Sequence, residues 1–190
     1  IEWQNGLLCH EEMHRDRFVE SVLTHATAVM RRPLLERVGG WPDPEWAEDV
    51  ELWFRLFDAG ARFEKVPLPL YTWTIHASSA SWTHERYRKH QMERGKLHHL
   101  LRGPLAGAEA VELWGVGRSL ERWGELFDDE SGLAVRCVKI NPRGLREEAV
   151  PRPSGAPALA IYTSLAVRSR LRELAARQGW QEGRDLFFTS

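Results

Sequence analysis

The stretch AVELWGVGRSLERWGELF, residues 110–127, constrains the architecture more than any other part of the chain. An apolar run of strand length leads into Gly115-Val116-Gly117, after which Leu120, Trp123 and Phe127 fall on one face of an amphipathic helix. Two further apolar runs follow, LAVRCVKI (133–140) and ALAIYTSL (158–165), separated by the loop-like NPRGLREEAVPRPSGAP. A helix is expected from about Ala166 to Gln178, with Val167, Leu171 and Leu174 facing inward and Gly179 as its stop. LFFT (186–189) reads as a last short strand. Strands that alternate with helices imply a small parallel sheet.

A strand, a Gly-x-Gly turn and a helix together make a Rossmann-like start, which raises the question of a dinucleotide. Two departures count against NAD. Leu120 stands where the third glycine of G-x-G-x-x-G belongs. The second strand ends Lys139-Ile140-Asn141, with no acidic residue to hold a ribose. Gly115, Gly117, Arg118 and Ser119 remain candidates to cradle a phosphate at the helix N-terminus; alternatively the glycines only make the turn.

The first 102 residues centre on WAEDVELWFRL (46–56). Val50, Trp53, Phe54 and Phe57 stand at i, i+3, i+4 and i+7, one face of a helix whose other side is expected to be polar, with Gly60 as the stop. Glu48 and Asp49 then lie in the first turn, where free N–H groups and the helix dipole favour ionised carboxylates. They either complement the dipole of a surface helix or offer a base at the mouth of the preceding Gly-Gly-Trp-Pro turn. Before them, the alternating run HATAVMRR (25–32) suggests a strand, Pro33 begins a helix, and Gly39 and Gly40 end it. RFEKVPLPLYTWTIH (62–76) reads as extended, and Pro67 and Pro69 restrict it to an edge strand or two short strands. Residues 82–102 read as a helix capped by Ser81 or Thr83, with six Lys or Arg against two Glu. Such a helix either presents a solvated face or meets a phosphate-rich acceptor or membrane surface. RGPLAG (102–107) supplies the boundary, giving domains at 1–102 and 108–190 around a linker at 103–107.

Taken in order, the arginine pair Arg31-Arg32, a helix, Gly39-Gly40-Trp41, a short loop, Glu48-Asp49, a helix ending Ala59-Gly60 and an extended run to His76 form one string. It closely resembles the C-terminal half of the catalytic domain of family 2 glycosyltransferases, inverting enzymes with a GT-A fold. The resemblance covers about a third of the chain. It implies a partial GT-A half followed by the Rossmann-like domain, which in turn resembles a small module appended to some bacterial members. Asp49 would be the general base, and Glu48 would support it or touch the acceptor. Gly39 and Gly40 would lie beside donor and acceptor, with Trp41 or Trp46 as a platform for a sugar face. His76 would complete the site of a divalent metal, Mn or Mg, in the complete enzyme; otherwise it is a histidine bonded to its own loop. The implied partners are a nucleotide-sugar donor and a carbohydrate or lipid-linked acceptor. The family's donor-side half, with its paired aspartates, has no counterpart in these residues, since Asp16, Asp43 and Asp58 do not form that motif. A fragment that is inactive alone is therefore expected.

Composition excludes some classes. With 26 basic against 27 acidic residues, no global pull toward nucleic acid is implied. Cys9 and Cys137 lie in different expected domains, which argues against a structural disulfide and for a reducing, cytoplasmic setting. No apolar run is long enough to cross a bilayer, leaving peripheral membrane contact as the remaining option. Two rivals remain. One is a nucleotide- or ligand-binding regulatory module on the Rossmann-like domain. The other is a zinc hydrolase: HEEMH (10–14) matches H-E-x-x-H, with His10 and His14 as ligands, although a third ligand is not evident and only nine residues precede it.

Overall fold

The computed structural model describes residues 2–74 and 76–190. The chain divides into two compact units, one made of residues up to 17 with 21–99, the other of residues 18–20 with 100–190. The division falls just ahead of the Gly-Pro segment at 102–107, whose Leu105 is buried in the second unit. Among the described residues no helix is long and apolar enough to cross a membrane.

The first unit holds short helices α1 (Glu2–Gly6), α2 (His10–Asp16) and α3 (Arg32–Arg37), and the longer α4 (Glu48–Asp58). α5 (Ala80–Thr83) and most of α6 (Lys89–Arg102) complete it. α4 is buried nearly all round. Leu52, Trp53, Leu56 and Phe57 join Leu7, Met13, Val22 and Ala61 in one core cluster. The side expected to be polar buries Glu51 as well. An amphipathic stripe thus understates a helix that is packed from two sides.

Three local expectations for this unit are corrected. Residues 25–32 form no strand: His25–Thr27 is a 3-10 turn in which the Thr27 hydroxyl donates to the Thr24 carbonyl at 2.9 Å. A local side-chain bond of that kind competes with strand pairing. Residues 62–74 are coil rather than strand, since Pro67 and Pro69 withhold donors and among the described residues no strand runs beside them. The helix expected over 82–102 is broken into α5, a 3-10 turn at Glu85–Tyr87 and α6, with Ser79 rather than Ser81 or Thr83 at the N-cap of α5. Its charge pattern is not a wholly solvated face, because Glu93, Lys96 and His99 of α6 are buried.

The second unit is a four-stranded parallel sheet of β1 (Ala110–Gly115), β2 (Ala134–Lys139), β3 (Ala158–Ile161) and β4 (Leu186–Thr189), in the order β2-β1-β3-β4. α7 (Gly117–Glu130) follows β1, and α8 (Leu165–Gln178) follows β3. The architecture is α/β and Rossmann-like: β1 pairs with β2 in register Val111–Val135 and with β3 in register Leu113–Leu159. β1 and β3 are nearly continuous apolar runs because both their faces are covered. β2 is an edge strand of exposed and half-buried residues. Gly115 sits at the junction of α7 with β1 and β3. A Cβ there would meet the Leu120 Cβ at 3.4 Å and the Ile161 Cβ at 3.5 Å, ordinary van der Waals contact, so the junction is close but has room for a small side chain. Leu120 occupies the place of the third glycine because its side chain fills that junction, 3% exposed.

Candidate functional site

α4 starts without a side-chain cap, at Ala47, so the charges of its first turn are arranged by neighbours rather than by a capping residue. The Tyr87 hydroxyl donates to Glu48 Oε1 at 2.9 Å, and Arg86 donates to Glu48 Oε2 at 3.3 Å. The same guanidinium reaches Asp43 Oδ1 at 2.9 Å. Burial opposes ionisation of Glu48, but its backbone bond, Tyr87 and Arg86 outweigh it and hold the carboxyl below its ordinary value. Tyr87 in turn is pushed well up by burial and by the Glu48 charge, so it stays a proton donor in the bond.

Asp49 goes the other way. Burial first, then the neighbouring Glu48 charge, raise it, against the Val50 N–H that donates to Oδ1 at 2.9 Å and the field of His25. Among the described residues no side-chain donor is bonded to the Asp49 carboxylate. The dipole argument therefore holds for Glu48 and fails for Asp49, where desolvation is the larger effect. Adjacent carboxylates with opposite shifts are the usual arrangement for separating a proton acceptor from a fixed charge. His25 stacks at a tilt on Trp41, with ring centroids 4.6 Å apart, and Trp41 is 45% exposed.

The structure brings together some of the residues expected from sequence and disperses others. Glu48 and Asp49 are joined by His25, Arg86 and Tyr87, with Asp43 and Trp41 one contact further out; of these additions only Trp41 was expected. Arg86 and Tyr87 lie in what the sequence presents as a uniform basic helix, and no local signal marks them. Gly39 and Gly40, at φ 87° and 76°, use their N–H groups to close α3 on the Glu36 and Leu35 carbonyls, which makes them the helix stop that delivers Trp41. Trp46 is committed to packing: its indole N–H donates to Glu51 Oε2 at 2.8 Å, and Gly95 of α6 lies against its ring. His76 is exposed and bonded within its loop, Nδ1 to the Ser78 hydroxyl at 2.9 Å and N–H to Ser79 Oγ at 3.3 Å. Among the described residues no group of three or more His, Cys, Asp or Glu is placed to hold a metal ion, so the donor set for Mn or Mg is not assembled around His76.

The same holds for zinc at His10 and His14. They do share a face of α2, with ring centroids 5.6 Å apart, but they pack on Phe57 and Phe63. The Phe63 N–H donates to His10 Nδ1 at 3.4 Å, and burial lowers His14 to about 4. Glu11, the would-be base, is paired with Arg62 at 2.8 Å. Cys9 and Cys137 are exposed free thiols.

In the second unit, Gly117 takes φ 58° at the start of α7, and Arg118 is exposed and Ser119 half-buried beside it. Ser164 caps α8 by accepting from the Val167 N–H at 3.4 Å. Because β1 and β3 are parallel neighbours, these two helix starts share the sheet end where strand order reverses. Gly115 faces Leu120 and Ile161 rather than that opening. A buried carboxylate that the sequence pattern hides within an apolar strand is Glu112, held by Trp114 Nε1 at 3.0 Å, Arg136 at 3.1 Å and Ser154 at 2.8 Å. Comparison of the chain with protein-family models, with curated proteins and with solved structures finds no match in any of the three.

Proposed function

We propose that the first unit is the acceptor side of an inverting, nucleotide-sugar-dependent glycosyltransferase, a partial GT-A half, with Asp49 as general base. The observation that carries the reading is the carboxylate pair itself. Asp49 has a raised proton affinity and no side-chain donor among the described residues, while Glu48 beside it is held ionised by Tyr87 and Arg86. The ordered string from Arg31-Arg32 to His76 supports it from the sequence side.

In this reading Asp49 takes the proton of an acceptor hydroxyl as that oxygen bonds to the anomeric carbon. The nucleoside diphosphate leaves from the opposite face with the bonding electron pair. Even a raised aspartate is too weak to ionise a sugar hydroxyl in the ground state, so proton transfer accompanies attack. Glu48 contributes a fixed negative charge that favours the protonated Asp49 product. With the Trp46 ring committed to Gly95, the exposed Trp41 is left as the platform for a sugar face.

The test is a transfer assay on the protein translated from the whole reading frame that contains these residues, with UDP, GDP and dTDP sugars as donors. Asp49→Asn should lower kcat by about 10²–10⁴-fold with donor KM unchanged, the usual size of a general-base effect. Full activity in Asp49→Asn removes the base assignment. Residues 1–190 alone, which lack the paired aspartates of the donor side, should turn over none of these sugars.

A second reading rests on the shared opening of α7 and α8 at the switch point of the sheet, where free N–H groups favour an anionic ligand. It makes the second unit a nucleotide- or phosphate-binding regulatory module. Nucleotide should then slow amide exchange at Gly117–Ser119 and leave the Asp49 region unchanged; equal exchange with and without nucleotide discards it.

A further inference from the structure

Residues 66–83, VPLPLYTWTIHASSASWT, contain no Asp, Glu, Lys or Arg. Within them Val66, Leu68, Leu70, Tyr71, Trp73 and Trp82 are between 49% and 74% exposed. Six large apolar side chains on one short uncharged stretch exceed the scattered exposure ordinary on a protein surface, and mark a surface that meets an apolar partner.

The chemistry of the stretch selects the partner. Pro67 and Pro69 stand two residues apart, so in an extended chain they withhold N–H groups from the same edge, which disfavours another strand adding there. Among the described residues no backbone–backbone hydrogen bond ties residues 66–74, so the backbone needs a wet environment while the side chains need an apolar one. The headgroup boundary of a bilayer provides both, and it is where tryptophan and tyrosine concentrate. Around the stretch, Arg62, Lys65, Arg88 and Lys89 outnumber Glu64 and Glu85, and no carboxylate within it repels an anionic surface. Arg62 and Arg88 are already paired with Glu11 and Glu85, so the apolar side chains carry most of the binding and charge adds a preference.

We propose that Val66, Leu68, Leu70, Tyr71, Trp73 and Trp82 dock the first unit on the surface of a lipid bilayer, their side chains inserted to the acyl boundary and the backbone of 66–74 left among the headgroups. The broken basic helix that follows is not the inserting element, because part of its polar face is buried. The proposal uses none of the Asp49 cluster and stands whether or not that cluster is a catalytic site.

The experiment is co-sedimentation of the 190-residue chain with vesicles of phosphatidylcholine alone and of equimolar phosphatidylcholine and phosphatidylglycerol. The chain should bind both, with a preference of about threefold for the anionic vesicles that high salt removes. Leu68→Ser/Leu70→Ser/Trp73→Ser should lower the partition coefficient at least about tenfold, and Trp82→Ser by about threefold, with unchanged far-ultraviolet circular dichroism. Wild-type chain left in the supernatant, or a triple variant that binds as well as wild type, overturns the proposal. A dimer in velocity sedimentation that the triple variant dissolves, without vesicle binding, overturns it in favour of a second copy on this surface.

Discussion

Asp49 and Glu48 are chemically similar neighbours on one helical turn, and what separates them is which side chains reach each carboxylate. Tyr87 and Arg86 supply Glu48 with donors; Asp49 has burial and the Glu48 charge working against its ionisation. Under the proposed general-base role Asp49 works only when ionised, so transfer should fail as pH falls through its raised pKa. Glu48→Gln removes the like charge that helps raise it. If the proposed transferase activity holds, the acidic limb of kcat/KM should then move to lower pH, read from a pH–rate profile. A limb that stays in place would detach Glu48 from Asp49. Neither direction could be read from the sequence, because Tyr87 lies 39 positions from Glu48 and the dipole acts on both carboxylates alike.

At the scale of elements, α4 and α6 are locked by a polar network inside an apolar seam. His99 Nε2 lies 2.8 Å from Glu51 Oε2 and its Nδ1 3.5 Å from Asp58, and its ring stacks on Phe54 at 4.5 Å. Burial opposes ionisation of Glu51, yet His99, Arg55 and Trp46 take its carboxyl down to about 2. Burial likewise opposes the charge on His99, and Asp58 and Glu51 reverse it, raising the imidazole above its ordinary value. The signs follow from linkage. The Glu51 contribution is present above its ordinary value of 4.5 and is lost as pH falls toward about 2. The His99 contribution is full below 6.5 and is lost as pH rises through the raised folded value. Glu51→Gln should cost about 2–4 kcal/mol in urea denaturation near pH 6, with a flatter acid limb, because a buried partner is left uncompensated. A loss below about 0.5 kcal/mol would show the network to be incidental. Gly95→Ala tests the same seam from its apolar side. Helix propensity alone favours alanine by up to about 1 kcal/mol. A Cβ at Gly95, however, would stand 2.8 Å from ring carbons of Trp46 that cannot swing aside without breaking the Glu51 bond. Overpacking should win, with a net loss of about 1–2 kcal/mol; a net gain would mean the indole does not lie there.

For the molecule as a whole, the second unit is closed by residues 18–20, far from the rest of it in sequence. The Thr189 hydroxyl donates to the Phe18 carbonyl at 2.8 Å, and the Ser190 hydroxyl donates to that of Val19. Thr189→Val keeps the shape and removes this buried hydrogen bond, so it should cost about 1 kcal/mol, read as a lower urea midpoint for the sheet unit. An unchanged midpoint would mean that residues 18–20 are not part of that unit. The parallel sheet was legible because each of its elements announces itself locally, through apolar runs of strand length, glycine at the turns and a 3.6-residue period between them. Those signals are short-range, and β1, β2, β3, α7, α8 and β4 all appear within a few residues of where they imply. The first unit was legible only where periodicity or punctuation was strong, at α3, Gly39-Gly40 and α4. The strands read at 25–32 and 62–76 are absent from the described residues because strand pairing needs a partner and N–H donors, which propensity alone does not provide. The residue pattern by itself therefore determined the parallel sheet, the helix that carries Glu48 and Asp49, and the stop that delivers Trp41. Only the tertiary structure decided which carboxylate is held ionised, that Trp46 packs while Trp41 stays open, and that His10, His14 and His76 meet no ligand set among the described residues. Those outcomes depend on burial and on partners tens of residues away, which local periodicity does not encode.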